Sequence, residues 1–227
     1  MYKFALNYNK IYGMFGILFI MLFFYKQLLK KEKKHIYNKY LSKSSLSSKK
    51  TSSILPNPKN RIDNIKNDLK YLENLCNNRT AEQMNLINNY GDIPENYFYK
   101  LCEEKNIKYN KKKVNNLVNY LDKTSDKLKE KYKINRPHLL GKKLDIKINS
   151  LVKPDTFSYP CGRVFKSKLL SYYFSIIDPR YDFEFQQITK DIELACLYAG
   201  INTPFDIRGS LILTQELMKK KILKKFI

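Results

Sequence analysis

Apolar residues recur at helical spacing along most of the chain after about residue 60. The first such stretch places them three or four positions apart, at Ile62, Ile65, Leu69, Leu72 and Leu75. This periodicity is typical of an amphipathic helix with one buried face. Similar patterns predict helices near residues 86–90, 94–105, 114–135, 164–177, 183–198 and 204–226, with irregular chain at 138–157. The pattern therefore predicts an all-α body over residues 60–227.

An uncharged apolar stretch of fifteen residues, 11–25, lies near the N-terminus. A membrane-spanning helix needs about 20 residues. Residues 5–8 extend the apolar stretch, and Lys10 and Lys26 can reach the interfaces by snorkelling. Because no cleavage site with small residues follows, we expect an uncleaved single-pass anchor at residues 1–27. A cleaved signal peptide and a helix lying in the interface are the alternatives.

A basic segment follows this apolar stretch. Residues 26–50 contain nine lysines and one glutamate. Positive charge next to a span usually stays in the cytosol, and it attracts an anionic leaflet. Residues 42–53 are mostly serine and lysine, which is typical of a flexible linker. We therefore expect a basic linker at residues 28–59 that joins the anchor to a cytosolic helical domain at 60–227.

The formal net charge of +22 ordinarily suggests nucleic acid or an anionic membrane as a partner. Only six of the 43 basic residues are arginine, the residue that binds guanine and phosphate in bidentate fashion. Lysine, asparagine and isoleucine are plentiful, whereas alanine occurs four times. This composition is typical of an AT-rich genome. We therefore expect no specific nucleic-acid binding, and non-specific, salt-dependent binding is the alternative.

Metal and cofactor sites are not expected from the sequence. The four cysteines are Cys76, Cys102, Cys161 and Cys196. Their spacing matches no zinc motif, and the histidines are His35 and His138. Because a cytosolic body would lie in a reducing compartment, we expect free thiols.

Three short blocks carry the candidate chemistry. Residues 129–137 read KEKYKINRP, residues 158–163 read SYPCGR, and residues 199–206 read AGINTPFD. In order and spacing they resemble the type 2 phosphatidic acid phosphatase/haloperoxidase superfamily, and most of all its class A bacterial acid phosphatases. That family reads K-x6-R-P, P-S-G-H and S-R-x5-H-x3-D. The resemblance covers roughly residues 95–218 and implies a helical bundle of that type.

Several positions fit the family pattern. Lys129 and Arg136 match the first block at the family spacing, and Tyr132 matches a tyrosine common in the class A branch. Gly162 matches the second block and Asp206 the third. The resemblance implies that Lys129, Arg136 and Gly162 bind phosphate. It gives Asp206 a supporting role.

Four positions depart from the pattern. Cys161 stands where the family has serine, and Cys196 where it has its second arginine. Arg163 replaces the acid/base histidine, and Asn202 replaces the nucleophilic histidine. Because these four family positions carry other residues, the resemblance assigns no catalytic residue in this chain.

The two replaced histidines matter most for chemistry. A phosphohistidine route needs an imidazole nucleophile and a proton donor for the leaving group. Asn202 cannot attack, and Arg163 cannot give up a proton because an arginine guanidinium stays protonated in proteins. Cys161 could attack in principle, since nearby cations activate thiols. A small buried thiol that fills the space of serine is the favoured interpretation.

The sequence thus predicts a membrane-tethered protein of this superfamily that has lost catalysis and keeps a binding or structural role. The first alternative is a divergent phosphatase, a phosphoric monoester hydrolase acting on lipid phosphates or small phosphomonoesters. The second is a basic scaffold that binds nucleic acid or acidic partners. The expected partners are the membrane and a phosphate-containing ligand, and the sequence identifies no protein partner.

Overall fold

The structure, a computed structural model, describes residue 55, residues 62–91 and residues 93–227. Every regular element in these ranges is helical, which confirms the predicted all-α body. The α-helices are α1 (Ile62–Asn77), α2 (Ala81–Tyr90), α3 (Pro94–Glu104), α4 (Lys111–Tyr132), α5 (Pro137–Lys142), α6 (Gly162–Ile177), α7 (Asp182–Tyr198) and α8 (Pro204–Lys219). Short 3-10 helices lie at Pro179–Tyr181 and Ile222–Lys225.

Helix α6 is the central element of the body. Ten of its 16 residues are buried, and it packs against α3, α4, α7 and α8. This helix corresponds to the one predicted at residues 164–177. A helix that is apolar on most of its circumference needs neighbours on several sides, so the other helices surround it.

Three phenylalanines form the centre of the core. Phe98 of α3, Phe174 of α6 and Phe185 of α7 are fully buried, with ring centroids 5.5–6.1 Å apart. Buried aromatic side chains contribute large apolar areas and favourable ring contacts. Truncation of such a ring to alanine costs about 3–5 kcal/mol, so this cluster holds α3 and α7 against α6.

Some helix boundaries differ from the sequence prediction. Helix α4 ends at Tyr132, before the predicted end at 135, because Lys133 adopts a left-handed conformation (φ 49°) and donates its N–H to Lys129 O. The chain then forms α5 within a segment predicted to be irregular. Its start is favoured by Pro137, whose fixed φ suits the first helical position. The last helix stops at Lys219, since Lys221 is also left-handed (φ 54°).

The predicted membrane anchor at residues 1–27 lies outside the described residues. Within the described residues, no helix is both long and apolar enough to cross a bilayer. Most of the predicted linker at 28–59 also lies outside them. Leu55 is described, and its side chain is buried in the main core.

Candidate functional site

The three sequence blocks meet at one cavity of about 300 Å³. Lys129 comes from the last turn of α4, Arg136 directly precedes α5, and Gly162 begins α6. Cys161, Arg163 and Asn202 also line the cavity. Its apolar wall consists of Ile87, Val152, Pro154, Ala195, Ala199 and Ile201. The structure therefore brings residues of all three blocks together, although up to 73 positions separate them.

Lys129 supplies an ammonium group that forms no hydrogen bond or ion pair with the described residues. The residue is half-buried, and the charges of Asp122 and Asp126 act on its pKa only as weaker, opposing influences. Burial and the neighbouring Arg136 guanidinium lower the pKa of Lys129. A buried cation without a partner is costly, so an anion beside it would restore the stabilisation that burial removes.

The start of α6 lies directly against α4. A Cβ at Gly162 would lie 2.6 Å from Ser125 Oγ and 3.6 Å from Lys129 Nζ. Glycine is therefore the residue that permits this close approach. No side chain of the described residues caps this helix start with a hydrogen bond, and a helix N-terminus attracts anions through its amide donors and its dipole. The Ser125 hydroxyl is buried here without a hydrogen-bond partner in the described part of the chain.

Arg136 holds two loops together. Its Nε and Nη2 donate to Thr156 O and Thr156 Oγ1, both at 2.7 Å, and Nη1 donates to Ile201 O at 3.0 Å. Only 7% of the residue is exposed. These bonds occupy most of its five N–H groups. Arg136 thus contributes positive charge to the cavity, while much of its hydrogen bonding is structural.

Arg163 has a structural role in this site. Its Nη2 donates to the carbonyl oxygen of Tyr90, the last residue of α2. A cation at a helix C-terminus interacts favourably with the helix dipole. The residue at the family's acid/base position therefore joins α2 to α6.

Asn202 is a buried hydrogen-bonding centre. Its Nδ2 donates to Ser158 O at 2.9 Å, and its Oδ1 accepts from the Cys161 thiol at 3.2 Å. A longer bond of 3.5 Å reaches Oδ1 from Arg136 Nη1. The amide at the family's nucleophile position is thus fully engaged, and its chemistry is structural.

Asp206 caps the start of α8, the helix predicted near residues 204–226. Its Oδ2 accepts from Thr203 N at 2.7 Å, and its own N–H donates to Thr203 Oγ1 at 3.2 Å. This reciprocal pair is a capping box. Ser158 Oγ donates to Oδ1 at 3.2 Å. Burial raises the pKa of Asp206, and the hydrogen bonds from Thr203 and Asn202 oppose that rise.

Cys161 and Cys196 lie side by side at the cavity wall. Their Sγ atoms are 3.9 Å apart, and both residues are almost completely buried. The contact with Cys196 and burial both raise the pKa of the Cys161 thiol. A raised pKa keeps the Cys161 thiol protonated and slows its attack on other atoms, so Cys161 is not an activated nucleophile for phosphoryl transfer.

Tyr132 is a core residue. Its ring packs edge-on against the ring of Tyr159, with centroids 5.2 Å apart. His138 does not reach the cavity either, and lies instead in a separate groove beside Leu139 and Lys142. No histidine of the described chain therefore lines the cavity.

Sequence reasoning missed Ser125, Thr156 and Ser158 as parts of the site. Ser125 lies four residues before Lys129, which puts both on one face of a helix, so the spacing could have identified it. Thr156 lies in a loop without periodicity. Its bond to Arg136 spans 20 positions, and no local signal predicts it.

No metal-binding geometry is present among the described residues, since no three His, Cys, Asp or Glu side chains group suitably. No protein-family model matches this chain, and no curated protein matches it either. The superfamily resemblance therefore rests on the three sequence blocks.

Proposed function

We propose that this chain is a membrane-tethered protein with the helical fold of the phosphatidic acid phosphatase/haloperoxidase superfamily, and that it binds a phosphate-containing ligand without hydrolysing it. One observation carries the proposal. Lys129, without an acidic partner in the described residues, lies beside the uncapped start of α6 in a cavity that no described histidine lines.

The binding half of the proposal rests on charge and geometry. A phosphate near Gly162 would meet the ammonium of Lys129 and the amide donors of the first turn of α6. Hydrogen bonds to charged groups contribute about 1.5–3 kcal/mol each. The cavity of about 300 Å³ is at the small end of ligand sites. A phosphate group with a small apolar substituent therefore suits it best.

The loss of hydrolysis follows from the two former histidine positions. Phosphoryl transfer to the protein needs a nucleophile, and the leaving group needs a proton. The Asn202 amide cannot supply the first, and the Arg163 guanidinium cannot supply the second. Cys161 is 1% exposed and donates its thiol proton to Asn202. The alternative of a divergent phosphatase therefore lacks an activated nucleophile.

The membrane tether in this proposal comes from the sequence pattern. Residues 11–25 are apolar, and the following segment to residue 50 is strongly basic. A basic segment next to an anchor would hold the body close to an anionic leaflet. A phosphate-binding cavity on such a body would meet phosphate groups at high local concentration.

Equilibrium dialysis of the full-length chain in mild detergent with labelled inorganic phosphate tests the proposal. We expect saturable binding that weakens at least about tenfold in Lys129→Ala, which corresponds to roughly 1.4 kcal/mol. Lys127→Ala is the matched control, because Lys127 is exposed on the same helix. Equal loss in both variants would mean non-specific attraction to lysines. Unchanged binding in Lys129→Ala would overturn the assignment of the site.

A further inference from the structure

Two sulfur atoms lie in contact beside the cavity, and the proposed phosphate binding uses neither. Cys161 is the residue that precedes α6, and Cys196 lies in the last turn of α7. Their Sγ atoms are 3.9 Å apart. The two residues are 35 positions apart in sequence, so a bond between them would join two central helices.

We propose that Cys161 and Cys196 form a redox-active dithiol that a small peroxide oxidises to a disulfide. A disulfide has an S–S length of about 2.0 Å, so the sulfurs must approach each other by roughly 1.9 Å. Rotation of two short side chains supplies a movement of this size. The 3.9 Å contact therefore places the two sulfurs within reach of a local rearrangement that joins them.

A route for the oxidant is present. Cys161 lines the cavity of about 300 Å³, which admits hydrogen peroxide readily. Cys196 lies behind it and does not line the cavity. This arrangement assigns different roles to the two sulfurs, since Cys161 is reached first and Cys196 is placed to attack it afterwards.

The charged groups around Cys196 favour its attack on an oxidised Cys161. Contact with the Cys161 thiol lowers the pKa of Cys196, and the cations of Arg163 and Arg136 lower it further against the opposing effect of burial. A thiolate is the reactive form in exchange at sulfur. Cys196 is therefore suited to resolve an oxidised Cys161.

The reaction balances with peroxide as the oxidant. The Cys161 sulfur attacks one peroxide oxygen, the O–O bond breaks, and the departing hydroxide takes the thiol proton and leaves as water. The Cys196 sulfur then attacks the sulfenic sulfur, and the S–O bond breaks. The second hydroxide takes the Cys196 proton and leaves as water. The two cysteines lose two electrons, and the peroxide becomes two waters.

Oxidation would change the floor of the cavity. In the dithiol, Cys161 donates to Asn202 Oδ1 at 3.2 Å. A disulfide has no S–H donor, so Asn202 Oδ1 would keep only the 3.5 Å bond from Arg136. Any resulting change in phosphate affinity rests on the proposed function, whereas formation of the disulfide does not.

The test is thiol titration and mass spectrometry of the full-length chain treated with hydrogen peroxide. The untreated chain has four free cysteines. We expect the titre to fall from four to two, the intact mass to fall by two hydrogens, and a thiol reductant to reverse both. Peptide mapping should join the peptides that contain Cys161 and Cys196.

Single variants separate this pair from the other thiols. Cys161→Ser and Cys196→Ala should each abolish the loss of two hydrogens, while Cys76→Ser and Cys102→Ser should leave it intact. Four thiols remaining after treatment, a link that involves Cys76 or Cys102, or oxygen addition without any link would each overturn the proposal. The map of the wild-type chain decides the matter even if a variant fails to fold. Loss of phosphate binding in the Lys129 experiment has no bearing on this result.

Discussion

Two helices begin beside each other, where Cys161 N donates to Asp206 O at 3.2 Å, and they begin in opposite ways. The start of α8 is closed by its own chain, because Thr203 and Asp206 form a complete capping box. The start of α6 follows Cys161 and has no side-chain cap. Side chains of the capping box therefore accept from the first backbone N–H groups of α8, whereas no side-chain cap accepts from those of α6 among the described residues.

The charged side chains at these two helix starts also differ. Asp206 supplies a buried negative group at the closed start, where hydrogen bonds from Thr203, Ser158 and Asn202 reach it. The open start has Lys129 beside it instead. A helix N-terminus stabilises a nearby negative charge. Asp206 supplies that charge at the start of α8. The start of α6 has the cation of Lys129 beside it instead, an arrangement that would suit an external anion.

Removal of the closed cap should give the largest effect. Asp206→Ala deletes a cap, which costs about 1–2 kcal/mol, and leaves buried donors of Thr203 and Asn202 without an acceptor. Unpaired buried donors cost about 1–3 kcal/mol each. We expect a total loss of roughly 3 kcal/mol in the free energy of unfolding. Urea unfolding followed by tyrosine fluorescence measures it, since the chain has 18 tyrosines and no tryptophan.

Asp126→Ala is the control for this experiment, because Asp126 is an exposed acid on α4. Exposed substitutions usually change stability by no more than about 0.5 kcal/mol. Equal effects of the two alanine variants would show that the fold does not depend on the closed cap, and the contrast between the helix starts would fail.

Filling the open start should have the next largest effect. In Gly162→Ala the new methyl group would lie 2.6 Å from Ser125 Oγ, and overpacking of this kind costs about 1–3 kcal/mol. Ser125→Ala should relieve most of the cost, because the remaining Ser125 Cβ lies 3.6 Å away. A double-mutant cycle in urea measures this coupling. Additive effects would contradict the close contact between α4 and α6.

Phosphate affinity should depend on pH through Lys129. Burial and Arg136 lower the pKa of Lys129, and only its protonated form attracts phosphate. At pH values where phosphate has already lost its second proton, we therefore expect affinity to fall as pH rises through this lowered pKa. The Lys129→Ala variant should lack this pH dependence in dialysis. A wild-type profile that stays flat up to the ordinary lysine range would contradict the role of Lys129.

The same pKa shift has an opposite effect on stability. The folded state releases the Lys129 proton more readily than the unfolded chain does. Between the lowered pKa and the ordinary lysine pKa, the unfolded state binds more protons, so this residue's contribution to stability increases as pH rises. Unfolding of Lys129→Ala should lack this contribution across that pH range.

The smallest effect should come from Cys161→Ser. Serine has a similar volume and is a favoured residue at a helix N-cap, so we expect unfolding free energy to change by less than about 1 kcal/mol. The open start would then tolerate a change at its capping position, in contrast to Asp206 at the closed start. A loss as large as that of Asp206→Ala in the same urea series would show that Cys161 stabilises α6 in some other way.

The sequence predicted the elements that have strong local signals. The apolar run at 164–177 corresponds to α6 (Gly162–Ile177), and the Thr203–Asp206 pattern marks the start of α8. Helix α2 begins at Ala81, about five residues before its predicted start. The apolar pattern did not reveal this start, because few residues of the helix are apolar. The capping box of Thr80 and Gln83 was the signal that could have located this start.

The site was predictable only in part, because its bonds are long-range. The three blocks contain Lys129, Arg136, Cys161, Gly162, Arg163 and Asn202, which all line the cavity, but they lack other lining residues such as Thr156. The bonds of Arg136 to Thr156 and Ile201 join residues 20 and 65 positions apart. These bonds determine how many N–H donors of Arg136 remain for a ligand. The contact of Cys161 with Cys196 likewise depends on how α6 packs against α7, which no local pattern encodes.

The most direct test of the central claim is phosphorus NMR of the full-length chain mixed with phenyl phosphate, which reports binding and turnover in one sample. We predict that the ester signal broadens with the wild type and with Lys127→Ala, that it stays sharp with Lys129→Ala, and that no inorganic phosphate accumulates. Accumulation of inorganic phosphate that disappears in Lys129→Ala would show a working phosphatase without histidine. An ester signal that is equally sharp in all samples would show that the open start of α6 binds no phosphate.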